Sequence, residues 1–134
     1  MPGKLLNKEV IIEDEKEGNQ LYNKGYFGKP LSGGGLKLNL FEAIYLTEAD
    51  RLETIDDEGK VIEKEYLLEE ALSMSNRSLI RYPIYRDMRS RGYVVKEASD
   101  PAEFRVFPRG GGPRKSPSKY WLFTNSETDL FNIK

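Results

Sequence analysis

The sequence predicts an α+β protein in two parts, a small N-terminal α/β subdomain over residues 1–75 and a C-terminal domain over 76–134 with a mixed, mostly antiparallel sheet. Three observations predict it. Short β-branched or alternating apolar clusters recur along the chain, as half-buried strands require. Between them, residues 40–49 and 63–74 switch to apolar spacings of three and four, the mark of a helix. Ser75-Asn76-Arg77-Ser78 then breaks the pattern, and beyond it one helix is followed by strand-like pieces only.

Taken in order, residues 8–14 (Lys-Glu-Val-Ile-Ile-Glu-Asp) concentrate β-branched side chains and read as a strand. Glu15-Lys16-Glu17-Gly18-Asn19 reads as its turn, and Leu21 to Phe27 as a second strand. After Pro30 and Gly33-Gly34-Gly35, the alternation of Leu36, Leu38 and Leu40 predicts a strand buried on one face. Asn39 followed by Glu42 imitates a capping box and starts a helix over about 40–49. Leu52 to Ile55 and Val61-Ile62 flank Asp56-Asp57-Glu58-Gly59, a hairpin signal. Tyr66, Leu67, Glu70 and Ala71 place a helix over 63–74. Leu79 to Arg91 reads as a helix carrying Pro83 in its first turns, with Gly92 as its stop. Tyr93–Lys96, Phe104–Pro108 and Tyr120–Thr124 read as strands, and Leu130 to Lys134 as a terminal strand reached through residues 125–129. No internal repeat is visible.

Composition narrows the function classes. With 38% hydrophobic and 32% charged residues the chain is globular, and no apolar run approaches the roughly 20 residues of a spanning helix. The first residues lack the layout of an export signal, so a soluble cytoplasmic protein without membrane contact is expected. Zero Cys excludes disulfides, thiolate metal sites and a cysteine nucleophile; zero His removes the commonest general acid/base and metal ligand. The net charge of −1 hides an asymmetry: Lys plus Arg against Asp plus Glu is 10 to 16 over residues 1–80, 10 to 4 over 81–119 and 1 to 2 over 120–134. A basic stretch holding Arg81, Arg86, Arg89, Arg91, Arg105, Arg109 and Arg114 suggests a surface for a polyanion, against the plainer reading of solvated arginines paired with Asp87 and Glu103.

The usual chemical motifs are missing. Neither Gly33-Gly34-Gly35 nor Gly110-Gly111-Gly112 leads into the Lys-Ser/Thr of a phosphate loop or joins a strand to a helix. The acidic runs at residues 13–17 and 56–58 lack the ligand spacing of a calcium loop. Glu69 and Glu70 are neighbours on a helix, about 100° apart, and cannot share a proton. The serines have no histidine base.

The informative residues are Tyr82-Pro83-Ile84-Tyr85-Arg86-Asp87-Met88-Arg89-Ser90-Arg91-Gly92-Tyr93-Val94-Val95-Lys96, then Glu103-Phe104-Arg105-Val106-Phe107-Pro108-Arg109-Gly110, then Ser116-Pro117-Ser118-Lys119-Tyr120-Trp121-Leu122. These blocks closely resemble the nuclease domain of the archaeal tRNA-splicing endonucleases. Leu21 to Pro30 and Leu38 to Leu46 look like the N-terminal domain of the same family, so the resemblance runs from about residue 8 to about 124. It implies a nuclease-like fold for 76–134 and, as family chemistry, RNA cleavage that needs no metal or cofactor. Members use a tyrosine as base on the ribose 2′-hydroxyl, a histidine as acid for the leaving 5′-oxygen and a lysine for the charged phosphorane, leaving a 2′,3′-cyclic phosphate and a 5′-hydroxyl. The roles suit an internal nucleophile, which needs only proton transfer and charge stabilisation.

The departures from the family pattern set the expectation. The tyrosine position, just before Pro-Arg-Gly, is Phe107, which keeps the ring and loses the hydroxyl. The histidine position, just before Ser-x-Tyr, falls on Pro117, which transfers no proton. A later helix carrying the lysine has no counterpart before Lys134, and Lys115 or Lys119 reads as surface charge. No catalytic residue is therefore assigned, and the chain itself is expected to be inactive.

A member that keeps the fold and loses the chemistry resembles the structural subunit of the heterotetrameric type, in which two catalytic and two structural chains act on precursor tRNA at bulge-helix-bulge sites. In that type an acidic loop enters a basic cleft of the catalytic chain and terminal strands pair. Glu127 and Asp129 would form that loop, and Leu130, Phe131 and Ile133 that strand. Two alignments of the end are open: Tyr120 to Thr124 follows the active-site loop, or an internal deletion makes it the penultimate strand. The second is favoured because it alone gives loop and strand their expected sequence. Arg109, Arg114 and Lys115, around a Gly-rich loop, are the RNA-binding candidates. Two rivals remain, an enzyme with an unusual acid or base such as Tyr93 or Glu103, and an RNA-binding or scaffolding protein acting outside the splicing complex.

Overall fold

In the computed structural model, which describes residues 2–97, 104–107 and the backbone of 120–122, strand pairing begins with β1 (Pro2–Leu6) and β2 (Glu9–Ile12). Their two-residue connection, Asn7-Lys8, has φ of 50° and 63°, the positive values that let a tight turn follow the twist of the strands. Next come α1 (Glu15–Gly25), β3 (Lys29–Pro30), β4 (Leu36–Leu38), α2 (Leu40–Glu48), β5 (Glu53–Ile55), β6 (Val61–Ile62) and α3 (Lys64–Met74). These lie in the first of two compact units, residues 1–76; the second is 77–134.

The strands of the first unit form one sheet in the order β3-β4-β2-β1-β5-β6, antiparallel throughout except for β1 beside β5. Val10 pairs with Leu38 and Ile12 with Leu36, and all four side chains are buried on the face that carries α1 and α2. On the other face Lys37 reaches Glu9 at 3.5 Å. Gly3 belongs to the buried face: a Cβ there would lie 2.7 Å from Val10 Cγ1 and 3.0 Å from Leu52 Cδ1, so the strand stays bare to let those side chains cover it. α3 packs on α2 through Leu67 and Ala71.

α2 starts as the sequence predicts. Asn39 Oδ1 accepts from the Glu42 N–H at 2.8 Å while Glu42 Oε1 accepts from the Asn39 N–H at 3.0 Å, a complete capping box. The predicted hairpin is also present, with Asp56 Oδ1 accepting from the N–H groups of Glu58 (2.8 Å) and Lys60 (2.9 Å) and Gly59 at φ 84°. Those bonds, the Lys60 N–H first, hold the Asp56 carboxyl below the ordinary range.

Residues 15–27 correct the sequence reading, because the expected turn and strand form the helix α1. The Asp14 side chain accepts from the Glu17 N–H at 2.9 Å and caps it. Gly18 and Leu21 are buried against the sheet, and a Cβ on Gly18 would stand 3.1 Å from Leu36 Cβ. Gly18 thus marks close helix-to-strand approach, and tertiary packing overrides its turn propensity. The helix ends at Tyr26, whose φ of 54° and ψ of 36° give the left-handed cap more often left to glycine. β1 and β3 are further strands that the sequence reading lacked.

In the second unit α4 (Ser78–Ser90) precedes β7 (Val94–Glu97), β8 (Phe104–Phe107) and β9 (Tyr120–Leu122), which form an antiparallel sheet in that order. Pro83 lies inside α4, beyond its first turn. Gly92, at φ 93°, stops the helix, with the Gly92 N–H donating to Arg89 O (2.9 Å) and the Tyr93 N–H to Met88 O (3.2 Å), a Schellman motif. The predicted terminal strand at 130–134 lies outside the described residues. No helix among the described residues is long and apolar enough to cross a membrane.

Candidate functional site

The site is built on α4 and β8. Ser78, Tyr82, Tyr85 and Arg89 recur at spacings of four, three and four, so they share one helix face, and all four are buried. Tyr85 stacks on Phe104 with ring centroids 6.1 Å apart and Tyr82 lies beside Tyr85 at 6.3 Å. Arginines sit on these rings: Arg81 over Phe104 at 5.3 Å, Arg86 over Tyr82 at 5.8 Å and Arg89 over Tyr85 at 5.6 Å. Arg89 is only 7% exposed; its Nε–H donates to Tyr85 Oη at 3.1 Å and its Nη2 to Val95 O at 3.2 Å. Part of the basic charge seen in the sequence is therefore internal packing. Arg91 pairs with Asp87 at 3.2 Å on the exposed surface, as the plainer reading of the charge run anticipated.

Strand alternation gives β8 two faces. Phe104 and Val106 face α4's aromatic layer or share its side, while Arg105 and Phe107 lie on the other. Phe107, 2% exposed, pairs with Val94 on β7, and the Arg105 guanidinium lies 5.2 Å from the Phe107 ring centre. Across the strands Arg105 is opposite Lys96. Tyr93, weighed as an unusual acid or base, immediately precedes β7 and is half-buried.

Of the residues assigned from the sequence to the degenerate site, the RNA contacts and the partner interface, Phe107 alone is described; Pro117, Arg109, Arg114, Lys115, Glu127, Asp129, Leu130, Phe131 and Ile133 lie outside the described residues. Sequence reasoning missed Arg89 as a core group, although its i+4 spacing from Tyr85 on an aromatic face was a signal. It also missed the Lys96–Arg105 pair, which needs the strand register. Among the described residues no group of three or more carboxylates is placed to hold a metal ion. The Tyr66 hydroxyl, in the first unit, has its pKa raised, chiefly by a hydrogen bond to the Glu70 side chain, and takes no part in the site.

Comparison with known proteins places both parts of the chain. Residues 1–68 match the tRNA intron endonuclease N-terminal domain, and residues 78–134 match the tRNA intron endonuclease catalytic C-terminal domain. The chain belongs to the tRNA intron endonuclease family. Its relatives include proteins named tRNA-splicing endonuclease from Methanococcoides burtonii (38% identical over 127 residues, 95% of this chain and 35% of the relative) and Thermococcus onnurineus (41% over 108 residues, 80% and 62%). A third, from Methanothermobacter thermautotrophicus, is 35% identical over 132 residues, 97% of this chain and 75% of the relative. The chain spans about a third of the length of the relatives from Methanococcoides burtonii and Methanosarcina barkeri. The family match gives α4, β7 and β8 their place in the domain described as catalytic.

Proposed function

We propose that this chain is a structural, non-catalytic subunit of a tRNA-splicing endonuclease. In this reading it assembles in the cytoplasm with a catalytic chain, two of each, and helps position precursor tRNA for intron removal at bulge-helix-bulge sites. The observation that carries it is Phe107. The position just before Pro-Arg-Gly calls for a tyrosine hydroxyl to take the 2′-proton, and here a benzene ring stands there, 2% exposed and stacked under Arg105. An aromatic ring without a hydroxyl accepts no proton, so the nucleophile is not activated. Pro117 at the histidine position removes the acid in the same way. The basic bias of residues 81–119 supports a role in holding RNA, with Arg109, Arg114 and Lys115 as the candidate contacts.

Assembly is the testable half. Glu127 and Asp129 supply acidic groups for a basic cleft, and Leu130, Phe131 and Ile133 supply apolar side chains for strand pairing with a neighbour. Mixed with a family member that retains tyrosine, histidine and lysine at the three positions, the chain is expected to form a heterotetramer by size-exclusion chromatography with light scattering. Deleting residues 130–134 abolishes strand-mediated association, and the double variant Glu127→Ala with Asp129→Ala separates the chain from the catalytic partner. A double variant that still forms the full complex at micromolar concentration removes the acidic loop from this reading.

A further inference from the structure

On the face of the first sheet opposite the one that carries α1 and α2, the strand register builds a row that no single strand reveals. Lys29 pairs with Lys37, Lys37 with Ile11, Ile11 with Lys4, Lys4 with Ile55 and Ile55 with Val61. Six residues therefore stand in one line across β3-β4-β2-β1-β5-β6. At about 4.8 Å between neighbouring strands the line is roughly 24 Å long. Lys29 and Val61 are exposed, Val61 at 54%, and the four between them are half-buried. Leu6, two residues beyond Lys4 on the same face, is 41% exposed. Branched aliphatic side chains thus lie on the solvent side of the sheet, where alternation ordinarily places polar ones.

Charge divides along the same line. Residues 29–38, which hold β3 and β4, contain Lys29 and Lys37 and no acidic residue. Residues 53–62, which form the β5–β6 hairpin, contain Glu53, Asp56, Asp57 and Glu58 against Lys60 alone. One end of the sheet is therefore +2 and the other −3. Lys37 meets Glu9 at 3.5 Å and Lys4 meets Asp57 at 3.6 Å, surface pairs that contribute little and exchange partners readily. Lys29 and Glu53 have no ion pair among the described residues. A twofold rotation about an axis parallel to the strands, in the plane between two such faces, lays the basic end of one copy on the acidic end of the other, twice. It keeps row over row and encloses the aliphatic side chains between two sheets, each copy using the same patch. A polyanion on this face meets the acidic end, whereas a second copy meets opposite charge at both ends.

We propose that this face is a self-association surface, through which two copies of the chain meet sheet to sheet with their charged ends crossed. The surface goes beyond the subunit reading and does not depend on it. The patch is small beside the roughly 800 Å² that each partner buries in a standard interface, so the association is weak and set by concentration.

The test is sedimentation equilibrium of the full chain over a range of concentrations reaching roughly 0.5 mM, as a weak interface requires. The weight-average mass of the wild-type chain is expected to rise with concentration, and the rise to shrink in about 1 M salt, where the charged ends are screened. The double variant Lys29→Glu with Lys37→Glu makes both ends acidic, and Glu53→Lys with Asp57→Lys makes both basic. Each is expected to weaken self-association about tenfold, and an equal mixture of the two to restore it, because opposite ends meet again. All four side chains reach water, so circular dichroism should show an unchanged fold; the salt dependence of the wild-type chain serves as the second measurement if a variant does not fold. A wild-type mass independent of concentration, association unweakened by salt, unchanged association in both variants, or no recovery on mixing overturns the proposal. Variants that self-associate normally but no longer co-elute with a catalytic family member would assign the face to that chain instead, and the proposal falls. Association lost on deleting residues 130–134 yet untouched by either charge reversal would assign it to the terminal segment, with the same result.

Discussion

Replacing Tyr85 with alanine is expected to lower the stability of the chain by about 4 kcal/mol, the usual range for emptying a fully buried aromatic position. Tyr85 is 2% exposed and makes three contacts with two residues: it stacks on Phe104 at 6.1 Å, accepts the Arg89 Nε–H at 3.1 Å, and holds the Arg89 guanidinium 5.6 Å from its ring. Truncation leaves a cavity beside Phe104 and removes one acceptor from a buried cation, whose desolvation is then less well compensated, with the Val95 carbonyl still in place. Tyr85→Phe separates the two effects. It keeps the ring and removes the acceptor, so about 1.5 kcal/mol is expected. Urea unfolding of the full chain measures both; equal destabilisation by the two variants would show that the hydroxyl, not the ring, matters.

Glu42→Ala is expected to cost about 3 kcal/mol, from two charge-assisted hydrogen bonds and a helix cap. The Glu42 carboxylate is 2% exposed, with Oε1 on the Asn39 N–H and Oε2 on the Gly28 N–H at 2.7 Å. Gly28 cannot shift to find another acceptor cheaply. Its φ is +76°, and even a Cβ would fall 2.7 Å from Leu36 Cγ and 2.8 Å from Lys37 O. Glu42→Gln keeps one acceptor and turns an NH₂ toward the other donor, so it should lose about half as much. A thermal or urea midpoint for Glu42→Ala within error of wild type would contradict this account of how the loop after α1 is held to α2.

How much of this was legible follows from how local each signal is. Asn39 and Glu42 are three residues apart and satisfy each other, so α2 was readable; Asp56 and Gly59 made the hairpin readable for the same reason. Gly92 as the stop of α4 needed only its own positive φ. α1 was misread because its glycine and asparagines resemble a turn, while the reason for Gly18, the approach of Leu36, lies in a strand eighteen residues on. The pattern Asp14 with Glu17 was the local clue that outweighs it. β1 was missed because Pro2 and Gly3 discourage strand assignment, and its parallel partner β5 is about fifty residues away. At the site, the loss of a hydroxyl at Phe107 is a one-residue fact, visible at once against the family pattern. The burial of that ring, its contact with Arg105 and the opposition of Arg105 to Lys96 depend on a strand register that no local spacing contains.

The central claim, that the chain serves a splicing endonuclease without doing its chemistry, is tested most directly by cleavage of a bulge-helix-bulge precursor tRNA. Purified chain is assayed alone and after mixing with a catalytic family member, under multiple-turnover conditions. The account predicts no product above background from the chain alone, and cleavage to a 2′,3′-cyclic phosphate and a 5′-hydroxyl by the mixture, dependent on the presence of both chains. Sustained turnover by the chain alone, free of any partner, would contradict it, because Phe107 cannot take the 2′-proton and some other group would have to be doing so.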